Sequence, residues 1–209
     1  MHFRSGKIDD ATDLVKRFHY SKRAPGNVQF IGSLHEDGGL FGDCGPILAA
    51  CFFSIPPTRW SESVWELSRL VRREDAKPSL SQLIGSCCRF LKTTKQADLL
   101  VSFADKTQGH HGGIYQACSW SYDGARDKVM DGVLIDGVFV PGRSCNSKYG
   151  TRSPTLLADR LSGHTVEPHY DEGKHLYWRA LNRDGKRKAE RLGLKSLPYP
   201  KPDVQEVLI

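Results

Sequence analysis

The 209-residue sequence has no apolar run approaching the roughly 20 residues that a membrane-spanning helix needs. Its opening, MHFRSGKIDD, lacks the apolar stretch of a signal peptide, so the protein is expected to stay in the cytoplasm in which it is made. No CxxC pair occurs among the six cysteines, Cys44, Cys51, Cys87, Cys88, Cys118 and Cys145. Most of them sit in apolar stretches, and the adjacent Cys87 and Cys88 are badly placed to share a bridge or a metal. Buried, reduced thiols are therefore expected in place of a disulfide or zinc framework. There is no internal repeat and no low-complexity tract, which leaves no basis for a repeat array.

With 39% hydrophobic residues, a chain of this length suits one α/β or α+β domain with a continuous core. The net charge of +6 is unevenly placed. Residues 1–139 carry 17 basic and 16 acidic side chains, and residues 140–209 carry 13 and 8, so five of the six excess charges fall in the last third. Such a distribution suits phosphate contacts with a nucleic acid, and it suits equally a basic surface that only keeps the protein soluble.

Hydrophobic spacing gives an order of elements. DDATDLVKRF at 9–18 reads as an amphipathic helix, halted at Pro25 and Gly26. Gln29 to Leu34 and Ile47 to Ile55 read as antiparallel strands joined through the turn-rich EDGGLFGDCGP, and Val64 to Val71 as another strand. Residues 79–95 have Leu80, Leu83, Ile84, Cys87, Cys88 and Leu91 at helical spacing, with Ser79 and Gln82 forming a capping box. LLVSFA at 99–104 is continuous enough for a strand buried on both faces. A short helix in GHHGGIYQACS, a strand at SWSYDG and a hairpin at VLIDGVFVP turning on Asp136-Gly137 follow. A helix at 153–162, a strand at 175–181 and a basic helix at 185–195 complete the chain.

From Glu66 to Gly124 the sequence reads ELSRLVRRED, PSLSQLIGSCCRFL, LLVSFAD and GHHGGIYQACSWSYDG, with His19-Tyr20 upstream in HYS. Over residues 15 to 150 this ordered set resembles the Mom family of phage DNA-modification proteins, relatives of the GNAT acyltransferases. The resemblance implies an α+β fold with a mixed, mostly antiparallel, splayed sheet flanked by helices, the splay admitting an acyl donor. It implies a transferase that hypermodifies adenine at N6 with a carbamoylmethyl group and shields phage DNA from restriction in the host cytoplasm. Residues 1–209 are then one GNAT-like domain, with 1–150 the catalytic core and 151–209 a basic extension packed on it.

The same resemblance assigns residues. Tyr115 in GIYQACSW stands where the superfamily's tyrosine protonates a departing thiolate, although a lone tyrosine in such a segment also reads as core. Asp105 ends an apolar run, so its carboxylate is expected at the sheet's rim to meet the adenine amino group, act as a base or bind a metal; a helix cap is the plain alternative. His19 and Tyr20 match a pair connected with activity and with an iron site in the family, so His19, Tyr20 and Asp105 form the candidate iron ligands. No HxxxD-type spacing fixes any two of them on one face.

Adjacent histidines seldom point the same way, so His110 and His111 suit contacts to the target base better than ligation. Trp120 and Tyr122 either stack on an extruded base or fill the core. Lys148, Arg183, Lys186, Arg187 and Lys188, followed by Arg191 and Lys195, are candidates for gripping phosphates, or else a solvated helix face. The superfamily's glycine-rich turn before the central helix is absent; AKPSLSQLIG stands there, leaving Ser79, Ser81, Gln82 and Gly85 as donor-binding candidates. Coenzyme A bound in the usual way is thus less expected than glycyl-tRNA or another activated glycine, with acetyl-CoA the alternative. The expected partners are double-stranded DNA, tRNA and a second copy of the chain, with no membrane. An acyltransferase acting on a small-molecule or protein amine, or a non-catalytic DNA-binding module, would use the same features.

Overall fold

The structure, a computed structural model, describes residues 1–5, 9–38, 45–56, 60 and 63–201, with Asp10 by its backbone alone. Cys44 and most of the expected turn between the second and third strands lie outside the described residues. In chain order the elements are β1 (His2–Ser5), α1 (Asp9–Phe18), β2 (Val28–His35), β3 (Ile47–Ser54), β4 (Val64–Arg72), α2 (Leu80–Thr94) and β5 (Leu99–Asp105). A 3-10 turn (Lys106–Gln108), α3 (Gly113–Ala117), β6 (Ser121–Ala125), β7 (Met130–Ile135), β8 (Val138–Pro141), α4 (Gly142–Tyr149), α5 (Pro154–Arg160), β9 (Val166–Tyr170), β10 (Lys174–Ala180) and α6 (Arg183–Arg191) follow. The contacts divide the chain into two units, Met1–Ala104 with Gly112–Gly124 and Leu176–Ile209, and Asp105–His111 with Ala125–His175.

The first unit is built on a sheet ordered β1-β2-β3-β4-β5-β10-β6. The pairs from β1 to β4 are antiparallel, and β4 pairs β5 in parallel. Period-two alternation sends Phe30, Leu34, Ala49, Cys51 and Phe53 to one face, where Leu83, Ile84, Cys87, Cys88 and Leu91 of α2 cover them. Ile31, Ala50 and Phe52 point to the other face, against Ala11, Leu14 and Val15 of α1. Because both faces are covered, β3 is buried along its whole length and reads as an unbroken apolar run. The α2 helix starts as its sequence dictates, with the Ser79 hydroxyl accepting the Gln82 amide at 3.2 Å.

The second unit holds a three-stranded sheet ordered β8-β7-β9, with Val133, Cys145 and Leu157 as its buried centre. The β7–β8 hairpin pairs Ile135 with Val138 and turns on Asp136 (φ 50°) and Gly137 (φ 78°), two successive positive φ values that define a type I′ turn. Pro168 sits in edge strand β9, where its missing amide removes no internal ladder bond.

Besides the 3-10 turn, three elements escape the sequence reading. The four-residue β1 is too short to show a period, α4 (GRSCNSKY) has no apolar stripe, and β9 carries the proline. The basic helix begins two residues earlier than expected, since Asn182 caps it by accepting the Gly185 amide at 2.8 Å. Residues 176–201 do not form an outer extension: Leu176–Ala180 belong to a strand lying between β5 and β6. Most of the second unit lies between β6 and β10 in chain order.

The α6 helix docks at the start of β5 through Asp98, whose carboxylate accepts from Asn182 Nδ2 at 2.7 Å and from Lys188 Nζ. Lys188 also donates to Ser63 Oγ. Burial raises the Asp98 carboxyl, but the hydrogen bonds from Asn182 and Lys188 outweigh it and hold it below the ordinary carboxylate range. A depressed carboxyl contributes stability above its unfolded value and loses it as pH falls through the folded one. Lys188→Ala is expected to cost about 1–3 kcal/mol at neutral pH, measured by urea unfolding. The penalty should shrink in acid below the ordinary carboxylate range; an equal penalty at both pH values would mean that the pair does not hold α6.

Candidate active site

The parallel pairing of β4 with β5 covers only Val64–Leu99, Trp65–Leu100 and Glu66–Val101. Beyond that rung the strands part, so from Leu67 onward β4 keeps β3 as its partner and loses β5. Ser102 stands where the next rung would be, and its Oγ lies 2.7 Å from the Leu67 carbonyl oxygen, replacing a ladder bond with a side-chain bond. Ser68 is the extra residue of a bulge in β4, where Phe52 and Phe53 face Arg69 and Leu67. Its hydroxyl donates to the Phe52 carbonyl at 3.1 Å, and the buried Ser54 hydroxyl is 2.8 Å from it.

Tyr115 comes to this parting from α3. Its hydroxyl is 2.8 Å from Ser102 Oγ, and its ring packs 5.4 Å from Trp120 and 5.2 Å from Tyr177. A carbonyl can only accept, so the single Ser102 proton points at Leu67 and Tyr115 donates to Ser102. Burial pushes the phenol well above its ordinary range; the Ser102 hydrogen bond opposes this, while Cys51, Tyr20 and Glu66 raise it further. Tyr115 therefore holds its proton at neutral pH, as an acid must before it donates.

Tyr20, half exposed, is thus within electrostatic reach of Tyr115. Its ring lies 4.4 Å from that of the buried His19. His19 Nδ1 accepts the Ser21 amide at 3.1 Å, which puts the proton of the neutral imidazole on Nε2. The structure brings His19, Tyr20 and Tyr115 into one region of the first unit, and sequence reading missed their neighbours Ser102, Ser68 and Glu66. A lone hydroxyl inside the otherwise apolar LLVSFA was the available signal for Ser102.

Because β4 and β5 are parallel, the parting opens at their C-terminal ends, the end from which α2 starts. Cys118, just past α3, lies 3.9 Å from the Ser81 carbonyl and ties α3 to the first turn of α2. Ser79, Ser81 and Gln82 therefore adjoin the segment that holds Tyr115. The Ser79 hydroxyl is already engaged as a cap, and a Cβ at Gly85 would meet nothing within 4 Å.

Other expected residues fall elsewhere. Asp105 ends β5 but groups with the second unit, where its carboxylate accepts the Thr107 amide at 3.0 Å and caps the 3-10 turn. His110 and His111 follow that turn in the same unit. Trp120 is wholly buried and Tyr122 nearly so, the latter's ring 5.1 Å from that of Tyr177; both are core residues and cannot stack on an extruded base without unpacking it. Lys148 lies exposed on α4 beside the Tyr149 ring. On α6, Arg183 and Lys186 are exposed, Arg187 pairs with Asp184 at 3.3 Å, and Lys188 is committed to Asp98 and so is not available to a phosphate.

The implied iron does not fit what is present. Among the described residues no group of three His, Cys, Asp or Glu side chains is arranged to hold a metal ion, and His19 Nδ1 is taken by a backbone amide. The described cysteines are free, and burial pushes Cys88 up to about 12, so these thiols act as small apolar groups.

These features define the class: an α+β fold, its mostly antiparallel sheet splayed at one parallel pair and flanked by helices. The chain belongs to the Mom protein family, whose profile matches residues 2–201. No curated protein is similar enough to count as a match. Solved structures similar to it include a Bacillus subtilis acetyltransferase in complex with CoA, at TM-score 0.49 and 11% identity, covering 87% of this chain and 99% of that one. The Escherichia coli ribosomal-protein-S18-alanine N-acetyltransferase gives 0.48 and 8%, covering 87% and 95%. An aminoglycoside 6'-acetyltransferase type Ii gives 0.48 and 8%, covering 87% and 98%.

The start of α3 is set by Gly112, at φ +85°, where a Cβ would lie 2.2 Å from the Tyr177 ring. Gly112→Ala is expected to cost about 2–4 kcal/mol, from left-handed backbone strain together with overpacking. Denaturant unfolding measures it, and a variant as stable as the parent would show that Gly112 and Tyr177 do not meet.

Proposed function

We propose that the protein is a transferase that hypermodifies adenine in DNA at N6, giving a carbamoylmethyl-type product that protects the DNA from restriction. The supporting observation is a protonated phenol, Tyr115, held at the parting of β4 and β5 in a chain of the Mom family. The target nitrogen is inaccessible inside a duplex, so the adenine is taken out of the stack before reaction.

A glycyl donor accounts for the product. N6 attacks the glycyl carbonyl and the activating group departs, taking a proton from Tyr115. The free glycyl amine then attacks C6 of the ring, and the former N6 leaves that carbon as the terminal amide nitrogen, giving carbamoylmethyl-adenine. Asp105 takes the role of contacting the adenine amino group and receiving its proton. Glycyl-tRNA is the donor this chemistry favours, with acetyl-CoA the competing donor.

Phosphate contacts fall to cations that no carboxylate neutralises. Arg143, Lys148 and Arg152 on the second unit, and Arg183 and Lys186 on α6, are exposed and make no ion pair among the described residues.

Nucleosides from plasmid DNA of cells expressing the protein are expected to contain adenine heavier by the carbamoylmethyl group, seen by mass spectrometry. Tyr115→Phe should lower the yield by about 100-fold. Asp105→Asn, which keeps a capping side chain but removes the charge, should also abolish it. Unmodified adenine with the parent protein well expressed would favour an amine acyltransferase with another acceptor. Label placed at N6 should emerge in the terminal amide; label retained on the ring-attached nitrogen excludes the glycyl rearrangement.

In duplex binding measured against salt, each cation removed from a phosphate contact should reduce the slope of log affinity against log salt by about 1. Arg143→Ala with Lys148→Ala, and separately Arg183→Ala with Lys186→Ala, test the two basic surfaces. A slope unchanged in both pairs would remove them from the DNA contact.

A further inference from the structure

We propose that Ser102 is a positioning residue that sets the direction of the Tyr115 hydroxyl proton, accepting it at rest and donating to the phenolate once Tyr115 has given that proton to the leaving group. This rests on the reading of Tyr115 as the acid of the transfer.

The resting arrangement is a chain of two hydrogen bonds, from Tyr115 Oη to Ser102 Oγ at 2.8 Å and from Ser102 Oγ to the Leu67 carbonyl at 2.7 Å. Ser102 is wholly buried, and these are its two partners. The alternative orientation at rest, Ser102 donating to Tyr115, would leave two oxygens 2.7 Å apart with no proton between them. The resting proton of Tyr115 is therefore directed at Ser102.

Donation reverses this. The Tyr115 hydroxyl turns about its Cζ–Oη bond from Ser102 toward the departing group, the O–H bond breaks, the departing group gains the proton, and a negative charge is left on Tyr115 Oη in a buried site. An uncompensated buried charge is costly. The Ser102 hydroxyl removes much of that cost by rotating about its Cβ–Oγ bond, leaving the Leu67 carbonyl and donating to the phenolate, with no heavy atom displaced. A hydrogen bond to the ionised form favours ionisation, and the Ser102 contact acts in that direction on Tyr115. Water returns the proton after the product leaves. The register gives the device its place: Leu67 and Ser102 form the first rung that the backbone does not make, so the hydroxyl at the parting of the strands is also the one that holds the acid.

Ser102→Ala and Ser102→Cys are the variants, assayed for DNA adenine modification with the full chain. Ser102→Ala is expected to lower kcat by about 10- to 100-fold, from loss of a hydrogen bond to a charged group, with the donor KM within about twofold of the parent. Its solvent deuterium isotope effect on kcat should rise, because proton transfer becomes the slow step. Ser102→Cys, a weaker donor, should fall between. In the unmutated protein NMR should show a slowly exchanging Tyr115 hydroxyl proton in contact with the Ser102 β-protons, a readout that does not depend on activity or on the variants folding. A parent-like kcat and isotope effect in folded Ser102→Ala, or a Tyr115 hydroxyl proton remote from Ser102, overturns the proposal. Full activity in Tyr115→Phe would instead remove the acid itself, and the NMR contact, being independent of it, separates the two failures.

Discussion

Between Glu66 and Leu67 the ladder joining β4 to β5 stops, and the remaining half of β4 becomes an edge inside a seven-stranded sheet. Backbone groups on such an edge are expensive to leave unpaired, because burial removes the water that would satisfy them. The Ser102 hydroxyl satisfies the first of them, and the bulge at Ser68 turns the strand just beyond it. Strand edges recognise extended ligands by completing the ladder. The α1 and α2 helices pack on opposite faces of this sheet, so the core that they form with it is built around the parted strands.

The amount of this that the sequence discloses follows from which forces leave a local mark. The α1 helix, strands β2 to β5, α2 and the Asp136-Gly137 hairpin all carry a period or a turn signature, and each lies within a residue or two of its expected place. β9 and α4 leave no such mark, since neighbours in the second unit decide their state. The parting of β4 from β5 leaves none either: VWELSRLV reads the same whether its far half is paired or not. Ser102 shows only as a hydroxyl in an apolar run, and its link to Tyr115 thirteen residues on is a fact of three dimensions. Trp120 and Tyr122 show the converse error, because aromatic residues in a strand look alike whether they face a ligand or a core.

Charge is the property that sequence counting serves least well. The last third is basic by composition, yet on α6 Lys188 holds Asp98 at the base of β5 and Arg187 leans on Asp184. Part of the excess is therefore structural, and this basic helix owes some of its cations to its own attachment. Between Gly137 and Gly163, by contrast, Arg143, Lys148, Arg152 and Arg160 stand against one carboxylate, Asp159, while the rest of the second unit is rich in acids. That unit is close to neutral overall and uneven within, and unevenness is what a polyanion senses at short range.

The ionisation of Tyr115 decides what kind of chemistry the opening can support. A base or nucleophile at that position would need a lowered phenol, brought about by a nearby cation or by donors aimed at its oxygen. The surroundings do the reverse: burial above all, with Cys51, Tyr20 and Glu66, favours the neutral form and outweighs the Ser102 hydrogen bond, which acts the other way. A group so placed is suited to giving a proton away once, at the moment a leaving group develops charge beside it, and not to abstracting one. Deprotonation of the acceptor must then fall to a different residue, and a carboxylate able to receive a proton is a better match to that task than a second phenol. The proposed division of labour between Tyr115 as acid and a separate base matches an acyl transfer to an amine, where one proton is lost by the nucleophile and another is gained by the group that leaves.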